Sequence, residues 1–315
     1  MLLIITNSFD VTADLLLDHL RGVSVFRLNF DQILSYKIRI DRHGYSITDP
    51  TGRTANHESI TKAYWRKPMN ADPDDSVIWS QYVAAEMRYA FTELVNLLWS
   101  DQKIVLVEPY AERRTGKLLQ LRRAEAFFSV PDYYFSLGYE PAASVAVVKS
   151  LSSELVDDKI LYTTKVRTEE LDSRFPWFIE SVVDANFDIT VVYVRGQLFC
   201  FSLVRDFLDK SVDWRRFIGL EQRWHPHSLP EHMEDRINKY MSGLKLDYGR
   251  LDFLLDRAGC YWFCEVNPNG QFAWLDVEGS QGLLNAVIVE ISPETTVFPI
   301  PNKHPLYPRC SSLSQ

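Results

Sequence analysis

The sequence has no GxGxxG run and no GKS or GKT run, so neither a Rossmann site nor a P-loop site for a nucleotide is predicted. Cysteine is scarce, and Cys200, Cys260, Cys264 and Cys310 show no CxxC spacing. This argues against a zinc cluster and a disulfide framework, and we expect a reducing cytoplasm as the compartment. The chain also has no basic excess, because 34 lysines and arginines face 42 aspartates and glutamates, for a net charge of −8. A nucleic-acid partner is therefore not expected.

Long hydrophobic runs are also missing. No stretch is long enough to predict a transmembrane helix, and the opening residues MLLIITNSFD lack the basic region of a signal peptide. We therefore expect no association with a membrane. The chain does have material for a large core, since 46% of its 315 residues are hydrophobic and 13% are aromatic. That length allows one large domain or two to three smaller ones.

The first part of the chain predicts an α/β layer. Leu2–Thr6 and Val23–Asn29 are short apolar runs of the buried-strand type, with a helical pattern between them. A strand, a helix and a strand in this order favour a parallel sheet. Apolar residues at helical spacing then predict a long amphipathic helix over Ile78–Trp99. We place a domain boundary near Val107–Tyr110.

The most informative stretch is LDFLLDRAGCYWFCEVNPNGQ, which begins at Leu251. Two apolar runs flank a polar turn that contains a glycine, which predicts a β-hairpin. Asp252 lies in the first strand, whereas Glu265 and Asn267 close the second, two residues apart and therefore on one face. If Asp252 lies across from them, three oxygen ligands converge in a set that suits Mg²⁺. The alternative is a hairpin with ordinary surface acids, because acids are common at hairpin ends.

A second candidate residue follows from the composition of one strand. Residues 144–151, SVAVVKSL, form an apolar run with a single interior lysine, Lys149. A lysine in such a strand requires an anionic partner. We therefore predict that Lys149 faces a phosphate or another anion.

These stretches resemble ATP-grasp ligases. LDFLLD…YWFCEVNPNGQFAWLD is similar to the metal-binding end of that family, and EVNPNGQFAWLD together with the DWRR run at residues 213–216 is most similar to the graspetide (microviridin-type) macrocyclases of ribosomal peptides. The resemblance covers roughly residues 1–291. It implies an α/β (α+β) ATP-grasp fold with an N-terminal α/β pre-ATP-grasp domain, a central subdomain, a C-terminal subdomain with the Mg²⁺ site and a Pro/Ser-containing tail. The corresponding boundaries are 1–110, 111–182, 183–291 and 292–315.

The resemblance also implies the residues of an ATP site. KLLQLRRA resembles the family's K-L-x-Q-L-x-x-A helix, so Lys117 is expected to reach an ATP phosphate, although composition alone would make it an ordinary solvated lysine. Lys149 corresponds to a second phosphate-binding lysine, and residues 152–158 correspond to the loop over the phosphates. FIESV resembles the family's F-Q-E-x-I, which implies Glu180 at the adenine amine and Asp188 at the ribose.

Basic residues complete the implied site. Arg215 and Arg216 of DWRR, together with Arg205 of the preceding VRD run, are expected to neutralise the γ-phosphate or an acyl phosphate, whereas the alternative is a basic surface loop. In DITV, Thr190 stands where the family has arginine, so this strand lacks a guanidinium that the family carries. The YWRKP run at residues 64–68 is either a solvated loop or a counterpart of the family's aromatic, basic and proline element.

The function implied by the resemblance is that of an ATP- and Mg²⁺-dependent ligase that forms ADP and phosphate. An Asp or Glu side chain of a ribosomal precursor peptide would be phosphorylated, and a Thr or Ser hydroxyl (ester) or a Lys amine (amide) would then displace the phosphate and close a ring. A leader peptide on the precursor and a homodimeric enzyme are further expectations. Two alternatives stay open: an ATP-grasp ligase that joins an amino acid to a small molecule or a protein terminus, and a nucleotide-binding partner protein without chemistry.

Overall fold

The computed structural model describes residues 1–68, 80–138, 144–152, 162–206, 213–216 and 223–292. Of the predicted tail at 292–315 only Ser292 is among the described residues, and of the predicted phosphate loop at 152–158 only Ser152 is. None of the helices in these ranges is both long and apolar enough to cross a membrane.

The described residues form a mixed α and β structure. In chain order the strands are β1 (Leu2–Thr6), β2 (Val25–Asn29), β3 (Lys37–Asp41), β4 (Gly44–Thr48), β5 (Thr54–Asn56), β6 (Lys62–Trp65), β7 (Ile104–Val105), β8 (Tyr133–Ser136), β9 (Val145–Lys149), β10 (Thr164–Arg167), β11 (Trp177–Ser181), β12 (Ala185–Val194), β13 (Gln197–Val204), β14 (His225–Pro226), β15 (Tyr248–Asp256) and β16 (Tyr261–Asn267). The α-helices are α1 (Val11–His19), α2 (Ser80–Ser100), α3 (Ala111–Arg114), α4 (Lys117–Ala124), α5 (Glu231–Leu244) and α6 (Leu283–Ile291).

The predicted parallel layer is confirmed in the first part of the chain. Strands β1, β2, β6 and β7 form a parallel sheet in the order β2-β1-β6-β7. The central strand β1 is buried throughout, so its alternating side chains contribute to hydrophobic clusters on both faces of the sheet. One cluster includes α1, and the other includes Phe91, Leu94 and Leu98 of α2. The antiparallel strands β3, β4 and β5 add Tyr45 and Ile47 to the second cluster.

Two antiparallel sheets follow and carry the predicted site. The four-stranded sheet has the order β10-β9-β11-β8, and the five-stranded sheet has the order β14-β13-β12-β15-β16. One face of the larger sheet is apolar and packs with α4 and α5, where Leu121, Ile237, Val191 and Leu251 share one core. Its opposite face carries Asp188, Thr190 and Asp252, because strand side chains alternate between faces.

Arg66 ties the parallel sheet to the turn that follows β16. It is 1% exposed, and its Nη1 donates to the carbonyl oxygen (3.2 Å) and the Oδ1 (3.1 Å) of Asn269. Its Nη2 donates to Thr12 Oγ1 at 3.2 Å, and its Nε lies 3.5 Å from Asp10 Oδ2. Of the two interpretations of the YWRKP run, a solvated loop is therefore wrong for Arg66, because the guanidinium is enclosed between two parts of the fold.

We predict that Arg66→Met destabilises the protein by about 3–5 kcal/mol, because it leaves the buried Asp10 and the oxygens of Asn269 without their cationic partner. The measurement is the urea-unfolding midpoint. Arg39→Met is the matched control, since the Arg39 side chain is 79% exposed and should change stability by less than about 0.5 kcal/mol. Equal midpoints for both variants would contradict the role of Arg66.

Candidate active site

A cavity of about 510 Å³ lies against the polar face of the five-stranded sheet and against residues of β9 and β11, the two inner strands of the four-stranded sheet. Nine of the ten predicted site residues line it: Lys117, Lys149, Glu180, Asp188, Arg205, Arg215, Asp252, Glu265 and Asn267. Arg216 is the exception. Its Nη2 donates to Thr164 Oγ1 at 3.0 Å, and its guanidinium lies 5.1 Å from the ring centroid of Tyr162. The chemical roles given to these ten residues stay predictions.

The oxygen ligands converge because of a β-bulge in β16. Asp252 lies opposite Glu265, whereas the next pair toward the turn joins Phe253 to Phe263, so Cys264 is the extra residue. The bulge shifts the alternation of side chains by one residue. Phe263 and Val266 both pack into the core, and Cys264, Glu265 and Asn267 all line the cavity. The predicted placement of Asp252 across from Glu265, with Asn267 on the same face, is confirmed.

The three side chains contact one another and fit Mg²⁺. Asn267 Nδ2 donates to Glu265 Oε1 at 3.1 Å and lies 3.4 Å from Asp252 Oδ2. Thr190 Oγ1 donates to the second oxygen of Asp252 at 2.8 Å. Rotation of the Asn267 amide by about 180° would present its oxygen to the same point. Mg²⁺ takes one or two carboxylates and shares its other positions with phosphate and water, and Asp252 and Glu265 provide such a pair. Among the described residues, no group of three His, Cys, Asp or Glu side chains that could hold a metal ion is found.

Positive charge keeps Glu265 ionised. Burial by itself raises the pKa of this carboxyl, but Lys117, Lys149, the amide of Asn267 and Arg250 outweigh burial and lower the pKa to about 2. A carboxylate that stays charged near neutral pH is what a hard cation requires.

Both predicted lysines line the cavity and have acidic neighbours. Lys149 Nζ lies 2.5 Å from Glu180 Oε2, and Glu180 is 4% exposed. Burial by itself lowers the pKa of Lys149. The carboxylate of Glu180 outweighs burial, so the pKa of Lys149 lies above its usual value and the ammonium stays charged. Lys117 Nζ donates to the carbonyl oxygen of Ser150 at 2.7 Å and lies 3.5 Å from Glu265 Oε2. The anionic partner predicted for Lys149 is therefore present, and it is a protein carboxylate.

The predicted arginines are paired in the same way. Arg205 Nη1 lies 2.6 Å from Asp188 Oδ1. Burial raises the pKa of Asp188 to about 7, because it outweighs the effect of Arg205, which favours the ionised carboxylate. Arg215 binds Asp213 with two hydrogen bonds, Nε to Oδ1 at 2.9 Å and Nη2 to Oδ2 at 2.6 Å. Both arginines line the cavity. A surface loop is not the environment of Arg205, which is buried, whereas the Arg215 side chain is 51% exposed.

Several cavity residues were missed by the sequence analysis. Arg250 donates from Nη2 to Asp252 Oδ2 at 3.0 Å, and Trp214, Trp224 and Trp274 form an aromatic wall. The signal for Arg250 was available, because it precedes Asp252 by two residues in a strand and must share its face. The wall joins residues distant in sequence, so no local pattern could have indicated it. Lys67 also lines the cavity.

Comparison with known proteins identifies the fold class. No family model matches this sequence, and no curated protein matches it either. Solved structures of ATP-grasp enzymes, in contrast, match it along most of its length with TM-scores up to 0.78. The chain therefore has the ATP-grasp fold, as predicted, while the boundaries of its subdomains stay predictions.

The particular structures are enzymes of peptide maturation. The macrocyclase MdnC from Microcystis aeruginosa MRC, bound to its precursor peptide MdnA, covers 91% of this chain and 98% of its own, with a TM-score of 0.77 and 21% identity. An ATP-grasp ligase associated with ribosomal peptides from Chryseobacterium gregarium, in complex with ADP and a leader and core peptide, covers 91% and 95%, with a TM-score of 0.78 and 22% identity. The ligase PsnB, with a precursor variant, Mg and ADP, covers 91% and 97%, with a TM-score of 0.68 and 15% identity. At these identities the likeness establishes the fold, and the chemistry has to be argued from the cavity.

Substitutions in the Lys149–Glu180 pair should separate its contribution to the stability of the fold from the contribution of Lys149 to nucleotide binding. Lys149→Met leaves the buried Glu180 without its cation and should lower the unfolding free energy by about 3–5 kcal/mol. The double variant Lys149→Met/Glu180→Gln removes the unpaired charge and should recover most of that loss, yet it should still bind Mg·ADP at least about tenfold more weakly. Urea unfolding and calorimetric titration with Mg·ADP measure the two effects.

Lys165→Met is the matched control, because Lys165 is an exposed lysine on β10, the strand next to β9. It should change neither quantity. Wild-type affinity for Mg·ADP in the double variant would contradict a phosphate-binding role for Lys149.

Proposed function

We propose that this chain is an ATP-dependent ligase that phosphorylates an Asp or Glu side chain of a ribosomally made precursor peptide and condenses it with a hydroxyl or amine side chain of the same peptide. The observation that carries the proposal is the cavity, where Lys117 and Lys149 lie beside two carboxylates and an amide, Asp252, Glu265 and Asn267, on an ATP-grasp fold. Cations next to a carboxylate pair suit a Mg-bound polyphosphate.

Asp252, Glu265 and Asn267 would hold Mg²⁺. When bound, the ion supplies neutralisation of the phosphate oxygens, which otherwise repel an incoming carboxylate. Thr190 orients Asp252 through its 2.8 Å hydrogen bond, which fixes the direction of that carboxylate before any ligand binds. The 3.1 Å hydrogen bond from Asn267 Nδ2 to Glu265 would be given up when the amide rotates to present its oxygen to the metal.

Lys117, Lys149, Arg205 and Arg215 would bind the transferring phosphoryl group and its neighbours. The carboxylate oxygen of the peptide attacks the γ-phosphorus of ATP, the bond to the β,γ-bridging oxygen breaks, and ADP leaves. The product is an acyl phosphate on the peptide. A Thr or Ser hydroxyl or a Lys amine then attacks the carbonyl carbon, phosphate leaves, and a proton is released. Each ring therefore removes one water from the peptide and consumes one ATP.

An aromatic wall beside the arginines suits a reaction that passes through an acyl phosphate. Trp214, Trp224 and Trp274 form an apolar wall beside the arginines, and such a wall excludes water that would hydrolyse an acyl phosphate. The residues themselves contribute positioning and charge neutralisation rather than covalent chemistry.

The peptide substrate is supported by the structural neighbours, of which MdnC is bound to a precursor peptide and the Chryseobacterium enzyme is bound to a leader and core peptide. We extend this to the present chain as a precursor with a leader segment. A cytoplasmic location belongs to the same proposal, because ATP, Mg²⁺ and newly translated peptide meet there.

The deciding experiment is the intact mass of each short peptide encoded beside this chain, after incubation with the protein, ATP and Mg²⁺. We expect a loss of one or more waters together with release of ADP. Glu265→Gln should abolish both while the protein stays folded, because the amide that replaces the side chain provides no carboxylate for the metal.

Glu58→Gln is the matched control, since the Glu58 side chain is 79% exposed and lies between β5 and β6, outside the lining of the cavity. It should behave as the wild type does. A gain in mass would favour a ligase that joins two separate molecules, release of AMP would exclude the acyl-phosphate route, and full turnover by Glu265→Gln would overturn the metal assignment.

A further inference from the structure

Gln120 is a second side chain through which the helix of Lys117 contacts the hairpin of β15 and β16. It lies on α4, three residues after Lys117, and it is 4% exposed. Residues three apart on a helix are neighbours on one face. Lys117 Nζ lies 3.5 Å from Glu265 Oε2, and Gln120 binds the backbone of the next residue, Val266. The roles proposed for the cavity residues do not involve Gln120.

The primary amide of Gln120 pairs with the backbone of Val266 as a neighbouring strand would. Its Oε1 accepts a hydrogen bond from the N–H of Val266 at 3.0 Å, and its Nε2 donates to the carbonyl oxygen of the same residue at 2.9 Å. Nε2 also donates to the carbonyl oxygen of Thr115 at 2.5 Å. The reverse orientation of the amide would place its oxygen against two carbonyl oxygens, so the network determines which end is nitrogen.

Strand β16 requires such a partner because it is the last strand of its sheet. The outer edge of a terminal strand presents N–H and C=O groups that no strand binds, and burial of such groups without a partner is costly. Val266 is 2% exposed, and it stands between Glu265 and Asn267 in the chain. Gln120 therefore holds β16 at the residue that separates two of the proposed metal ligands.

The outer edge of β16 is also held on the other side of the β-bulge. The N–H of Phe263 donates to the carbonyl oxygen of Ser129 at 2.8 Å. In a regular strand the backbone groups of every second residue point to the same edge, so residues three apart could not both face outward. The extra residue, Cys264, allows Phe263 and Val266 to do so. The bulge thus lies between two hydrogen-bonded anchors, the backbone of Ser129 and the side chain of Gln120.

We propose that Gln120 is a positioning residue that holds Glu265 and Asn267 in the arrangement that Mg²⁺ requires, next to Lys117. Groups that orient metal ligands matter for affinity, and their substitution commonly weakens metal binding by about 10–100-fold. Because Lys117 and Gln120 share one helix, α4 relates the cation that would meet the phosphates to the carboxylate that would meet the metal. The inference rests on the proposed function, because it uses the metal role given there to Glu265 and Asn267.

The first measurement is amide hydrogen exchange in the metal-free protein, followed for single residues by NMR. In the wild type the N–H of Val266 should exchange as slowly as that of Phe253, which lies on β15 and is paired on both sides. Gln120→Met keeps the length of the side chain and removes both hydrogen-bonding groups, so the N–H of Val266 should exchange at least about tenfold faster. The N–H of Phe263 should keep its protection, because its partner is the backbone of Ser129.

The second measurement is calorimetric titration with ADP, once in EDTA and once in excess Mg²⁺. The ratio of the two dissociation constants gives the gain in affinity that the metal provides. We expect a gain of at least about tenfold in the wild type and loss of most of it in Gln120→Met. The affinity for ADP in EDTA should stay close to that of the wild type, because Lys117 and Lys149 remain. A side chain that only stabilises the fold would leave the gain unchanged.

Ile237→Ala is the matched control, because Ile237 is fully buried on α5 in the same core and its apolar side chain forms no hydrogen bonds. The cavity left by this substitution should lower the urea-unfolding midpoint. The exchange of Val266 relative to Phe263, and the gain from Mg²⁺, should nevertheless stay as in the wild type.

An unchanged exchange rate at Val266 in Gln120→Met would overturn the inference, as would an unchanged gain from Mg²⁺. Rapid exchange of Val266 in the wild type would overturn it as well, and that result requires no variant to fold. Effects of the same size in Ile237→Ala would reduce the role of Gln120 to general stability and would also contradict the inference.

Failure of the proposed function gives different results. If Glu265→Gln loses the gain from Mg²⁺ and Gln120→Met keeps it, the metal assignment stands and only the inference is wrong. If the wild type gains nothing from Mg²⁺, the metal assignment is wrong and the inference with it. If exchange and metal gain follow Gln120 but no peptide loses water in the mass experiment, the positioning role stands and the proposed macrocyclisation fails.

Discussion

The β-bulge at Cys264 determines which chemistry the cavity has. Without the extra residue, Asp252 would lie opposite Cys264, and the side chain of Glu265 would point into the core, where Phe263 and Val266 now lie together. The bulge therefore satisfies two demands at once: it keeps the apolar residues of β16 in one core and turns two oxygen-bearing residues toward Asp252. Because register is fixed by the buried face, the convergence of Asp252, Glu265 and Asn267 is a consequence of core packing and not of attraction between acids.

The charged residues of the cavity, including Asp252 and Glu265, occur as ion pairs, and within each pair the two charges neutralise each other. The pairs are Lys117–Glu265, Lys149–Glu180, Arg205–Asp188, Arg215–Asp213 and Arg250–Asp252. Pairing makes it possible to keep many charges partly buried, since an isolated buried charge would be far more costly. It also means that a polyphosphate and a divalent cation can enter together as a nearly balanced exchange of partners, in which carboxylates turn to the metal and cations turn to the phosphates. A ligand of one sign alone would leave buried charges uncompensated.

Local patterns in the sequence predicted the parts of this site that depend on spacing. The hairpin, the shared face of Glu265 and Asn267, and the need of Lys149 for an anion all followed from strand alternation and burial, and the fold followed from resemblance in LDFLLD and EVNPNGQ. The partners did not follow. Nothing local links Lys149 to Glu180, Arg205 to Asp188 or Arg66 to Asn269, because each pair is joined by tertiary packing. The β-bulge at Cys264 could not be predicted for a similar reason. The sequence CYWFCEVN is compatible with one regular strand, and nothing in it indicates an extra residue.

Thr190 shows how a linear motif can mislead. Where the resembled family has arginine on this strand, Thr190 is 2% exposed and uses its hydroxyl to bind one oxygen of Asp252, while Arg250 binds the other. Arg250 is opposite Val192, so it is the diagonal neighbour of Thr190 on the same face of β12 and β15. Diagonal neighbours are within reach of long side chains. A guanidinium can therefore be supplied to one point from either strand, whereas guanidinium groups from both would repel each other beside one aspartate. In this chain Arg250 on β15 supplies the positive charge next to Asp252, so an arginine at position 190 is not needed for that purpose.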